Sequence, residues 1–135
     1  MLKRCMIVCA AIDCLGICKI PALSIIGDFN LENEAALVAG VTGLRIDVDS
    51  LLEAGERTIQ MERLLNLNFG ATAEDDQLPA HFEEEPVEKG FGKEIKVADL
   101  IKIKQSFYRL MGWNSKGVPT VQTLEKFGIN FSKRY

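Results

Sequence analysis

The sequence predicts an all-α, multihelical fold in a single domain over residues 1–135. Three observations carry this expectation. Capping residues and helix-ending glycines punctuate the chain, apolar residues recur between them with helical period, and no segment alternates apolar and polar residues as a half-buried strand does. The length sets the scale: 135 residues bury roughly two-thirds of the surface that the unfolded chain exposes, enough for a core without disulfide staples.

The first helix is expected over about residues 2–15, ending at Gly16, because glycine tolerates the left-handed conformation in which helices often stop. Pro21, with its fixed φ, suits the first turn of a second short helix. Asn30 can cap a helix through LENEAALVAG, its side-chain oxygen accepting an orphaned backbone N–H, with Gly40 or Gly43 as the end. Ser50 with Glu53 three residues on reads as a capping box for the longest helix. Leu51, Leu52, Ile59, Leu64, Leu65 and Leu67 follow, and Gly70 closes it. Residues 72–92 are rich in acids and carry two prolines, which predicts a long surface crossing with one helical turn at 72–76. Helical pattern returns over residues 97–111 and stops at Gly112, and a last helix follows Pro119 and Thr120 as far as Gly128.

Composition limits the function classes. With 47% hydrophobic and 26% charged residues the chain lies far from the disordered regime. A formal net charge of -3, with Lys and Arg scattered among Asp and Glu, offers no basic stripe for nucleic acid and no polybasic patch for a membrane surface. No stretch approaches the roughly 20 apolar residues of a spanning helix. Lys3 and Arg4 precede an apolar run that superficially resembles a signal peptide. Asp13 interrupts that run and no small-residue cleavage pattern follows, so a cytoplasmic location is expected.

The four cysteines, Cys5, Cys9, Cys14 and Cys18, are the only concentrated reactive groups. At about 100° per residue, Cys5 and Cys9 share one helix face and Cys14 and Cys18 point to nearly the opposite one, so a continuous helix cannot gather all four around a metal. Cys5 and Cys9 read as small core residues. Asp13 is an ionisable group in an apolar stretch and should have a hydrogen-bonding partner. On an uninterrupted helix it would diverge from Cys18 by about 140°, so the two can address one ligand only if the helix ends between them, where Gly16 lies. Spacing leaves two readings open: one shared ligand, or Asp13 capping the next turn and Cys18 in the core.

The segment Asp13-Cys14-Leu15-Gly16-Ile17-Cys18 resembles the pterin-binding Asp-x-x-Gly-Leu-Cys motif of tungsten aldehyde ferredoxin oxidoreductases. GERTIQMERLLNLNFG (55–70), DDQLPAHFEEEP (75–86), SFYRLMGWNSKGVPT (106–120) and LEKFGI (124–129) are similar in content and order to the C-terminal region of that family. The resemblance implies that the chain is the C-terminal portion of a longer oxidoreductase. The full enzyme would hold a tungsten bis-pterin of the molybdopterin type and a 4Fe-4S cluster, oxidise an aldehyde to a carboxylic acid and pass electrons through the cluster to ferredoxin. Asp13 would then hydrogen-bond the amino-bearing ring edge of the pterin. Ile17, where the family usually has Leu, would add backbone contacts, and Cys18 would be a metal ligand, one thiolate of the cluster. These roles suit a two-oxygen acceptor and a soft sulfur donor.

The other cluster cysteines, the second pterin motif and the acid-base residues of that family lie upstream of the region matched. Cys5, Cys9 and Cys14 do not replace them, since their spacing differs. The chain is therefore expected to bind no cofactor and to be inactive by itself, with upstream domains or a partner subunit completing the site. Leu15, Ile17 and Ile20 would form a face covered in the full enzyme and prone to homo-oligomer formation without it. The alternative is a stand-alone helical module for interaction or oligomerisation, without catalytic activity. His81 and Glu83-Glu84-Glu85 read as solvated surface, and Tyr108 and Trp113 as packing residues with a polar edge at the surface.

Overall fold

The computed structural model describes residues 1–20, 30–77 and 97–130. Among these residues there are five helices and no strand: α1 (Leu2–Cys14), α2 (Glu32–Thr42), α3 (Val48–Asn68), α4 (Val97–Met111) and α5 (Val121–Lys126). A single isolated bridge joins Trp113 and Pro119. The helix expected at Pro21, the crossing beyond Gln77, His81 and the glutamate run lie outside the described residues.

The core is built on the contact of α1 with α3. Val8, Ala11 and Ile12 of α1 recur at helical spacing and pack with Leu51, Leu31 and Ala35, while Ile7 packs with Ile59, Tyr108, Met111 and Trp113. Burying an aliphatic side chain of this size contributes about 1.5–3 kcal/mol. Gly55 fixes how close the two helices come, because a Cβ there would run into the Ile7 carbonyl and stand 3.0 Å from the Ala11 nitrogen.

α3 begins one turn earlier than its sequence pattern suggests. Asp47, in extended conformation, is the N-cap, and its carboxylate accepts from the Ser50 backbone N–H at 2.9 Å and from the Ser50 hydroxyl at 2.6 Å. Ser50 is thus a partner of the cap and not the cap itself, since the ionised acceptor at position 47 is the stronger one and favours the positive end of the helix. Those bonds, the side-chain one foremost, hold the Asp47 carboxyl below its usual range.

The formal N-cap of α2 is Leu31, with φ 62°, while Asn30 Oδ1 accepts from the Glu32 N–H at 3.0 Å. A left-handed leucine costs of order 1–3 kcal/mol, offset here by nearly complete burial of its side chain. Residues 72–75 form a turn and not a helix, closed by the Asp75 carboxylate on the Thr72 N–H at 2.7 Å. The last helix follows Thr120 as expected, and Thr120 is its N-cap, accepting from the Thr123 N–H. Thr123 in turn donates to the Gly112 carbonyl at 2.8 Å and ties α5 to the end of α4.

Candidate functional site

α1 ends in a Schellman turn. Gly16, at φ 68°, donates to the Asp13 carbonyl at 3.0 Å, and Ile17 donates to the Ile12 carbonyl at 3.4 Å. Ile17 and Leu15 pack against the core cluster around Val8 and Ile12, the apolar contact that commonly accompanies such turns. Of the face expected to be open at 15, 17 and 20, only Ile20 is strongly exposed. The Ile17 N–H is engaged within this turn.

The break at Gly16 places both chemical groups of the motif on the surface: Asp13 and Cys18 are exposed. Asp13 projects outward because the buried stripe of α1 runs through Val8, Ala11 and Ile12 and leaves position 13 beside it. Its carboxylate Oδ2 lies 2.6 Å from Nζ of Lys19, a partner that the sequence does not single out. That hydrogen bond, with the charges of Asp13, Cys9 and Glu62 behind it, holds the Lys19 ammonium above its usual range. Asp13 and Cys14 also border a cleft of about 410 Å³ between α1 and α3, with Cys9, Thr58 and Glu62 on its walls. Cys14 Sγ is 3.3 Å from Thr58 Oγ1. All four cysteines are free thiols, and Cys5 and Cys9 are half-buried rather than core.

A second polar cluster is buried. Arg63 falls on the buried stripe of α3, one turn after Ile59, and donates to the Gly117 carbonyl at 2.7 Å and to both oxygens of Asp76. Tyr108 donates its hydroxyl to the same Asp76 carboxylate, and the guanidinium stacks 5.0 Å over the Trp113 ring. Gln60, fully buried, donates to the Met111 carbonyl at 3.0 Å and accepts the Trp113 indole N–H at 2.6 Å. Tyr108 and Trp113 therefore have buried polar edges, correcting the expectation of surface ones. Burial raises the Asp76 carboxyl, but hydrogen bonds from Arg63 and Tyr108 outweigh it and bring the group below its usual range. Burial, then the bond to Asp76, pushes the Tyr108 hydroxyl up to about 12. The signal for this cluster in the sequence was a charged residue in an apolar helical stripe, which requires a carboxylate nearby. Its groups are mutually satisfied, as a structural tie requires.

The donor chemistry at Gly16 fits a shared cofactor site. Asp13 offers a carboxylate with acceptor capacity beyond Lys19, and Cys18 an accessible thiol. Among the described residues no three His, Cys, Asp or Glu side chains converge to hold a metal. Cys18 thus fits a four-iron cluster only as one ligand beside others from elsewhere.

The described residues form a multihelical domain whose first helix breaks at Gly16, with Asp13 and Cys18 exposed on either side of the break. Residues 1–129 match the sequence profile described as aldehyde ferredoxin oxidoreductase, domains 2 and 3. The chain is 33% identical over 121 residues to the tungsten-containing aldehyde ferredoxin oxidoreductase of Pyrococcus furiosus, and 31% identical to that of Thermococcus kodakarensis. Each match covers 89% of this chain and 19% of the relative, so the chain spans about a fifth of their length. Among solved structures, the active-site complex BamBC of benzoyl coenzyme A reductase with 1,5-dienoyl-CoA matches with TM-score 0.61 and 26% identity, covering 73% of this chain and 14% of that one. The chain belongs to the aldehyde ferredoxin oxidoreductase family. No helix among the described residues is long and apolar enough to cross a membrane.

Proposed function

We propose that residues 1–135 are a single C-terminal helical domain of an aldehyde:ferredoxin oxidoreductase, in which Asp13, Ile17 and Cys18 form one wall of the cofactor site. The observation that carries this reading is the turn at Gly16, which leaves Asp13 and Cys18 exposed on either side of a helix end inside the family match.

In the full enzyme a tungsten bis-pterin and a 4Fe-4S cluster supply the oxidation of an aldehyde to a carboxylic acid and the one-electron steps to ferredoxin. The residues of this chain bind and orient. The Asp13 carboxylate accepts N–H groups from the amino-bearing edge of the pterin, the Ile17 carbonyl adds a backbone contact, and the Cys18 thiolate ligates one iron. The Schellman turn, anchored by Ile17 against Ile12, holds these groups at a fixed spacing.

The test is anaerobic visible spectroscopy with iron and tungsten analysis, on the chain alone and after co-production with the upstream part of its enzyme. Iron-sulfur absorbance that arises only in the combined protein and is lost in Cys18→Ala supports the reading. A combined protein that stays colourless, or a Cys18→Ala variant with an unchanged spectrum, overturns it, and the colourless result favours a helical interaction module.

A further inference from the structure

We propose that Lys19 is a positioning residue for the cofactor site: it holds the Asp13 carboxylate and enters the assembled enzyme with it as its counter-ion. The inference rests on the reading just given. Its starting point is the 2.6 Å pair between Lys19 Nζ and Asp13 Oδ2.

The pair exists because of the turn. On a continuous helix residues 13 and 19 would be separated by about 9 Å along the axis and by about 120° around it, out of mutual reach. The left-handed Gly16 reverses the chain and returns Lys19 to the last turn of α1. Both partners are substantially exposed, with 41% and 57% of their side chains accessible. An ion pair of this kind contributes little to folding, so stability does not explain it.

Cofactor binding does explain it. A carboxylate carries about four lone-pair sites. Lys19 occupies one, and no other described residue hydrogen-bonds this group, which leaves the rest for the N–H groups of a heterocycle. A carboxylate covered without a compensating charge is strongly destabilised. When the remaining domains cover the motif, Lys19 supplies that charge from two residues beyond Ile17 and immediately after Cys18. It also fixes the rotamer of Asp13, so that the accepting oxygens face the ligand before it arrives.

The test uses the holoenzyme obtained by co-producing this chain with the rest of its enzyme. Pterin, released and oxidised to a fluorescent product, and tungsten are quantified during anaerobic gel filtration. Lys19→Met is expected to lose both about tenfold faster than the parent, the low end of the effect of removing a group that orients a ligand residue. Lys19→Arg should restore retention, and circular dichroism of the three proteins should be the same. Retention by Lys19→Met equal to the parent, with Asp13→Asn losing pterin, overturns the role of Lys19 alone. Retention by Asp13→Asn as well overturns the pterin contact itself and this inference with it.

Discussion

Arg63 and Asp76 close a bidentate pair, Nη1 to Oδ1 at 2.9 Å and Nη2 to Oδ2 at 2.7 Å, and Oδ2 also accepts the Tyr108 hydroxyl. Through this carboxylate the turn at residues 72–76 is fastened to α3 and α4. Nε of the same arginine reaches the Gly117 carbonyl, so one side chain joins four segments of the chain.

Arg63→Met should therefore lower stability by about 2 kcal/mol, the effect of leaving a half-buried carboxylate and a buried carbonyl without their donor. Urea denaturation followed by circular dichroism measures it. A change below about 0.5 kcal/mol, typical of a surface position, would show that the cluster holds nothing together.

The same cluster sets a dependence on pH at both ends. Asp76 has a depressed folded-state pKa, so its contribution is present above the unfolded value of 3.8 and is lost as pH falls through and below it. Tyr108 is neutral up to about 12 in the fold, against 10.0 unfolded. Its contribution is complete below pH 10 and disappears as pH rises toward 12, a loss of about 2 kcal/mol. Urea midpoints measured from pH 9 to 12 should fall less steeply in Tyr108→Phe than in the parent.

Gly55 sits where α1 crosses α3 with no room for a side chain. Gly55→Ala should cost about 2–3 kcal/mol, because backbone and not a flexible side chain must yield. Gly40→Ala, at an open helical position, should raise stability by about 0.5–1 kcal/mol through the better helix propensity of alanine. Thermal unfolding of the two variants side by side separates the crossing from propensity.

Trp113→Phe removes the indole N–H from Gln60 Oε1 and strands a buried acceptor, at a cost of about 1–3 kcal/mol. Gln60→Leu alone strands the Trp113 N–H and the Met111 carbonyl. The double variant should lose less than the sum of the two, and a double-mutant cycle in urea gives the coupling.

What the sequence revealed was local. Gly16, Gly112 and Thr120 act within one turn of their own positions, and the structure has them in those roles. The start of α3 is ambiguous in the sequence because Asp47 and Ser50 both satisfy the preference for a capping acceptor, and only the backbone shows which residue is extended. Asp13 looked embedded in an apolar run, yet one step of helical rotation carries it out of the buried stripe. The sequence does not single out Arg63, because its partners are 13, 45 and 54 residues away, a separation that periodicity does not encode. The chemistry proposed for the motif rests on family resemblance, whereas the pairing of Lys19 with Asp13 depends on a reversal in space that spacing does not encode.

The docking of α1 on α3 has a consequence for how the chain is made. Val8, Ala11 and Ile12 find their partner Leu51 only after about forty more residues have been synthesised, roughly 2–8 s at about 5–20 residues per second. The seal is later still, because Lys3 Nζ bonds the Leu110 carbonyl at 2.9 Å across 107 positions. During that interval the side of α1 that carries Val8, Ala11 and Ile12 lacks its partner on α3.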